Sequence, residues 1–258
     1  MRFELRGPAE APALVLSAGL GGAWAFWAPQ IPALEPHFRL VLFDHRGTGA
    51  NREALPEPYS IGHMADDVLA VLGQAGIEAA HLMGHALGGL VGLELARRAP
   101  SRLRKLVLVN AWAKADRQSE RCFDIRLGIL AAQGPAAYVA AQPLFLHTAP
   151  YLSSHADKID AEIAHGTRAF QGEATIRARI AALRAFDARA DLPAMRTPTL
   201  VVAARDDLLV PYTASEALAA VLPNAQLWLM DHGAHACCVE QPAPFNAKVL
   251  EFLRAEPA

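Results

Sequence analysis

His81-Leu82-Met83-Gly84-His85-Ala86-Leu87-Gly88-Gly89-Leu90 reads as a strand that enters a sharp turn and leaves it as a helix. Gly84 and Gly88 flank the turn, where two backbones must pass close together, and the Leu90-Leu93-Leu95 spacing continues an amphipathic helix beyond it. Working outward, apolar runs of strand length recur at Leu14-Val15-Leu16, Leu40-Val41-Leu42-Phe43, Leu106-Val107-Leu108-Val109, Leu200-Val201-Val202 and Leu227-Trp228-Leu229-Met230. Helical spacing such as Met64-Val68-Leu72 lies between them. Strands alternating with helices predict an α/β fold with a mainly parallel sheet covered on both faces. From about 112 to 192 the rhythm breaks into alanine-rich helical patterns punctuated by Gly134-Pro135, Ala149-Pro150 and Gly166, and the strands resume after Thr197-Pro198. We therefore expect one domain over 1–258 with a helical lid inserted at 112–192, above the strands' C-terminal ends, where open α/β sheets bind ligands.

Composition narrows the function classes. With 258 residues, 53% of them hydrophobic, the chain can bury one sizeable core. A formal charge of −2 and the lack of any Lys/Arg run argue against a nucleic-acid or membrane-surface partner. The expected partner is a small molecule. An acid and a proline interrupt Met1 to Pro8, where a secretory signal would carry its apolar stretch, so export is not expected. The apolar stretch Ala13 to Ala28 is too short and too rich in glycine to span a bilayer and reads as a strand running into a glycine loop. Three cysteines, two of them adjacent at 237 and 238, make a poor disulfide framework and suit a reducing, cytoplasmic setting.

The turn at 84–88 resembles the nucleophile elbow Gly-x-Ser-x-Gly of the α/β-hydrolase superfamily, with Ala86 in the serine's place. A methyl group cannot attack, so an acyl-enzyme at this residue is excluded. The backbone feature survives, because the Leu87 amide still opens a helix and can face a developing oxyanion. A second oxyanion donor is expected from Ala18-Gly19-Leu20-Gly21-Gly22, with Leu20 as the candidate; taken alone, that run is a tight connection after a strand. Arg205-Asp206-Asp207-Leu208-Leu209-Val210-Pro211 resembles the family's acid loop, whose aspartate stands four residues before a proline, which selects Asp207 and leaves Asp206 as a loop carboxylate. Met230-Asp231-His232-Gly233-Ala234-His235 resembles the histidine loop, with His235 as the base. The order elbow, acid, base is that of α/β-hydrolases. A positive φ is expected at Ala86.

Two rival readings use the same region. His232, His235, Cys237 and Cys238 fall within seven residues and could ligate zinc, although no second ligand group appears elsewhere, and we expect no metal and no cofactor. Cys237 or Cys238 could replace the serine, but a thiol next to the base in sequence is poorly placed to reach Ala86. Trp24 and Trp27 could line a pocket, or pack beneath the glycine loop.

The elbow run through Gly92, Phe43-Asp44-His45-Arg46-Gly47-Thr48-Gly49, Ala141-Gln142-Pro143-Leu144-Phe145-Leu146 and the acid loop together resemble the D-protein family of the Rut pyrimidine-utilisation pathway over nearly the whole chain. The resemblance implies that alanine at the elbow is natural. It also implies a hydrolase of uracil breakdown acting on carbamate or 3-aminoacrylate, a small anion. On that reading Asp207 orients His235, which activates a water, and the Leu20 and Leu87 amides take the developing charge. Lid cations that could meet the anion are Arg121, Arg126 and Arg168, each with a plain reading as a solvated surface residue. Self-association as a homodimer is the remaining partner expectation. The alternatives are an esterase or amidase with another nucleophile and a non-catalytic binding protein; the latter has no chemical reason to hold both Asp207 and His235.

Overall fold

The computed structural model describes residues 1–255. Its strands are β1 (Phe3–Arg6), β2 (Ala13–Ser17), β3 (Arg39–Phe43), β4 (Ala80–His85), β5 (Leu103–Val109), β6 (Thr199–Ala204) and β7 (Ala225–Met230). The helices are α1 (Ile31–Leu34), α2 (Ile61–Gln74), α3 (Leu87–Arg98), α4 (Arg117–Leu146), α5 (Ala149–Ser154), α6 (Ala156–Arg168), α7 (Glu173–Ala185), α8 (Tyr212–Val221), α9 (Cys237–Glu240) and α10 (Pro242–Arg254). The five apolar runs and the strand that leads into the 84–88 turn all fall on strands of the sheet. β1 was not among them: it is a short, half-exposed edge strand, antiparallel to β3 with Phe3 opposite Phe43, and too brief to show a clear alternation.

The sheet order is β1-β3-β2-β4-β5-β6-β7, and every pairing from β3 onward is parallel. Because side chains alternate across a strand, each run feeds two cores. Val15, Val41 and Leu108 pack on one face with α2 and α3; Leu16, Leu42 and Val109 pack on the other with α1 and α10. Both faces are covered, so the strands need apolar residues at nearly every position. The chain leaves β2 toward β3 on one side and later runs from β4 to β5 on the other. The loops after β2 and β4 therefore open a crevice between neighbouring parallel strands, the usual place for a ligand in such sheets.

Helices α4 to α7 lie between β5 and β6, and the segment departs and returns where Lys114 bridges Asp187. The 30 residues of α4 are long and apolar enough to cross a bilayer, but they are not one straight helix. Gly134, at φ 81°, breaks the hydrogen-bond ladder, and Pro135 starts the second half. The end of α4 is fastened to the chain near β7 by the Ala236 amide on the Leu146 carbonyl (2.8 Å) and by the Glu240 carboxylate, which accepts from the Thr148 amide and hydroxyl (2.8 Å each).

His81, at the start of β4, gives the fold an acid limit. Its ring packs edge-on to Phe38 and its Nδ1 is buried without a partner; burial, with Lys105 and Arg104 nearby, holds its pKa down to about 4. Burial pushes His45 and His85 in the same direction. The unfolded chain takes up a proton below about pH 6.5 and folded His81 does not until about 4, so the stability from the neutral ring is intact above the first value and lost as pH falls toward the second. His81 should thus account for about 2 kcal/mol of destabilisation at about pH 5. Denaturant titrations of wild type and His81→Leu between neutral pH and pH 5 should show the variant's acid limb flattened by that amount; parallel limbs would mean the ring titrates normally.

Candidate active site

The elbow is built by close approach. A Cβ on Gly84 would lie 2.2 Å from the Gly88 carbonyl oxygen, and one on Gly88 would lie 2.1 Å from the Ser17 carbonyl oxygen, so β4, α3 and β2 meet with no space for side chains. Ala86 sits between His85 and Leu87 at φ 47°, ψ −111°, as expected of this position. Its amide donates to Val109 O (2.8 Å), and its carbonyl accepts from Gly89 and Leu90. The Leu87 amide opens α3 and, like the Leu20 amide in the glycine loop, has no acceptor among the described residues. Both residues line one cavity of about 520 Å³, together with Ala86 and His235.

Behind His235 stands Asp207. The His235 Nδ1–H donates to Asp207 Oδ2 at 2.7 Å, and Asp207 Oδ1 is held by the Leu209 and Val210 amides at 2.8 and 2.9 Å. Both side chains are almost wholly buried, yet the His235 ring reaches the cavity wall, which leaves Nε2 as the nitrogen free for chemistry. Asp206 is more than a solvated loop acid: it accepts from the Ala234 amide (2.8 Å) and the Gly233 amide (3.3 Å) and so pins the loop that carries His235. That loop needs unusual backbone, with Gly233 at φ 129° and Ala234 at φ 50°. Asn110 and His85 complete the support, each donating to the His235 carbonyl at 2.8 Å. Burial beside His235 keeps His85 neutral.

The rival readings of this loop do not match its geometry. His232 is exposed and leans on Asp206, whereas Cys237 and Cys238 are buried away from the cavity, so the four side chains diverge. Burial pushes the Cys237 thiol up to about 12 and Cys238 also well above its ordinary value; both stay protonated and poorly nucleophilic. Of the two tryptophans, Trp24 lines the cavity and Trp27 packs beneath it with no exposure.

Arginines are where the sequence reading fell short. Arg121 and Arg168 are exposed, as solvated residues would be, but Arg126 is buried in the cavity wall. Arg179 on α7, not singled out in the sequence, is completely buried and donates from Nε to the Leu20 carbonyl (3.1 Å) and from an Nη to the Gly19 carbonyl (3.2 Å). Burial lowers its pKa only to about 10, so a cation orients the loop that bears the Leu20 amide. Neither contact leaves a local sequence signal, since the partners are about 160 residues away.

Residues 12–127 match the model of the alpha/beta hydrolase fold family. The chain is 51% identical to a protein of Agrobacterium fabrum named "Putative carbamate hydrolase RutD", covering 98% of each. It is 52% identical to the protein of that name from Rhizobium rhizogenes, over 99% of this chain and 98% of that one. The chain belongs to the RutD family. Among solved structures, this RutD-family chain is similar to a hydrolase from Pseudomonas aeruginosa PA01 (33% identity, TM-score 0.87, covering 98% and 94% of the two chains). It is also similar to the enol-lactonase of Burkholderia xenovorans LB400 (27% identity, TM-score 0.89, covering 98% and 96%). The fold is that of the α/β-hydrolases and the protein is a hydrolase of that family.

Proposed function

We propose that this RutD-family protein hydrolyses the C–N bond of a small carboxylate anion of pyrimidine breakdown, with carbamate as the first substrate, through a water activated by His235 and without a covalent intermediate. The observation that carries this reading is an aligned Asp207–His235 pair facing a cavity in which Ala86 offers only a methyl group. Where a serine hydroxyl would stand there is room for water. Asp207 holds the Nδ1–H tautomer, so Nε2 can accept a proton as the water oxygen bonds to the substrate's carbonyl carbon. The Leu20 and Leu87 amides receive the charge that builds on oxygen. The same proton then passes to the nitrogen, the C–N bond breaks, and ammonia and bicarbonate leave. Stopped-flow decomposition of carbamate, followed with a pH indicator at fixed buffer, tests the reading: acceleration above the spontaneous rate supports it, and no acceleration removes carbamate.

One feature favours a second substrate. A cavity of about 520 Å³, walled by Trp24, Phe26, Trp112, Phe123 and Phe170, is larger and more apolar than carbamate requires. 3-Aminoacrylate, with carbon atoms to bury, suits it better, and ammonia release from that compound is the matching assay.

The absence of a nucleophile at the elbow is itself testable. A fluorophosphonate probe is expected to leave the wild type unlabelled, to label Ala86→Ser, and to lose that label in Ala86→Ser/His235→Ala, because the new hydroxyl needs the base. Labelling of the wild type would reveal a different nucleophile and restore the esterase reading.

A further inference from the structure

The wall of the cavity contributed by α4 contains a cation without a counter-ion. Arg126 is 4% exposed and no carboxylate among the described residues pairs with it. One Nη donates to the Tyr138 hydroxyl (3.3 Å) and to Gln142 Oε1, while Nε is buried with no acceptor. Phe123, Tyr138 and Phe145 stack around the guanidinium at 5.6–5.7 Å. Gln142 is itself oriented, since its Nε2 donates to the Tyr138 carbonyl at 2.7 Å, which turns Oε1 toward the arginine.

This cluster is made deliberately by the break in α4. Arg126 and Gln142 are 16 residues apart, which on a straight helix would separate them by about 24 Å. The non-helical Gly134 folds the second half back so that they touch. Aromatic rings and a neutral amide hold a guanidinium in place but do not neutralise it, and a buried charge requires an anion or donors satisfied by one. A planar fork with unused N–H groups fits a carboxylate.

We propose that Arg126, positioned by Gln142 and Tyr138, binds the carboxylate of a substrate whose reacting C–N bond stands apart from that group, as in 3-aminoacrylate. The ligand class is a small monocarboxylate with a short apolar body, its anion on the α4 side of the cavity and its remainder toward Ala86 and His235. The inference rests on the reading of this cavity as the substrate site, but its test does not need turnover.

Butyrate and butyramide, titrated into the protein with binding followed by NMR or calorimetry, differ mainly in the charge that Arg126 would recognise. Butyrate is expected to bind the wild type and to bind Arg126→Gln at least about ten-fold more weakly, with butyramide weak on both. Arg126→Lys, which keeps the charge and loses the fork, should fall between. Equal binding of the acid and the amide by the wild type overturns the proposal without any variant, as does undetectable butyrate binding or an Arg126→Gln protein that binds butyrate unchanged. Should carbamate and 3-aminoacrylate both escape turnover while butyrate binding depends on Arg126, the hydrolysis reading falls and the carboxylate site stands.

Discussion

His235→Ala is expected to bring the decomposition of carbamate, or ammonia release from 3-aminoacrylate, down to the spontaneous rate. In the proposed route the imidazole is the group that removes the proton from water, and a placed general base contributes about 10²–10⁴ in rate. No other group among the described residues is set up to take over: His85 spends its Nε2–H on the His235 carbonyl, and burial keeps it from accepting a second proton. Asp207→Asn should lose much of the same factor for a different reason. An amide in place of the carboxylate no longer fixes the Nδ1–H tautomer, although the Leu209 and Val210 amides can still meet the side-chain oxygen and preserve the loop. The two variants together, compared at matched protein and buffer concentrations, separate a base from a structural histidine. A His235→Ala protein that keeps more than about a tenth of the excess rate would show that water activation lies elsewhere.

The largest loss of stability is expected at the elbow rather than in the apolar core. In Gly88→Ala the new methyl would stand 2.1 Å from the Ser17 carbonyl oxygen and 2.7 Å from that of Ala18, and both neighbours are backbone at the end of a central strand. Neither can rotate away. Relief requires α3 to lift from β2, which opens the packing of Leu87, Leu90 and Val91. We expect a cost upwards of about 3 kcal/mol and, for a domain of this size, a fall in Tm of about 6–12 °C. Gly73→Ala, on a helix where an added Cβ meets nothing within 4 Å, is the control and should be neutral or slightly stabilising. Urea unfolding of both proteins checks this: a Gly88→Ala midpoint close to that of wild type would mean that the three backbones are not as tightly joined as the geometry has them.

Much of this architecture is legible along the chain because its signals are local. Strand runs such as Leu40-Val41-Leu42-Phe43 carry apolar residues at every position, which identifies strands buried on both faces, and the glycines at 84 and 88 mark a crowded turn whatever residue sits between them. The preference for Asp207 over Asp206 came from spacing to Pro211, and the structure places Asp207 on the His235 ring and Asp206 on the loop beneath it. The four residues of β1 carried too little pattern to be seen, and the long apolar α4 gave no sign that Gly134 would fold it back on itself.

The sequence by itself determined the layered fold, the substituted elbow and which aspartate and histidine pair, since each depends on residue type and short spacing. Only the tertiary structure decided that Arg126 and Arg179 are buried cations, one facing the cavity and the other gripping the glycine loop after β2. A solvated arginine and a buried one look alike in a helical segment, and what separates them is the company supplied by parts of the chain far away: Tyr138 and Gln142 across a broken helix for the first, the Gly19 and Leu20 carbonyls for the second.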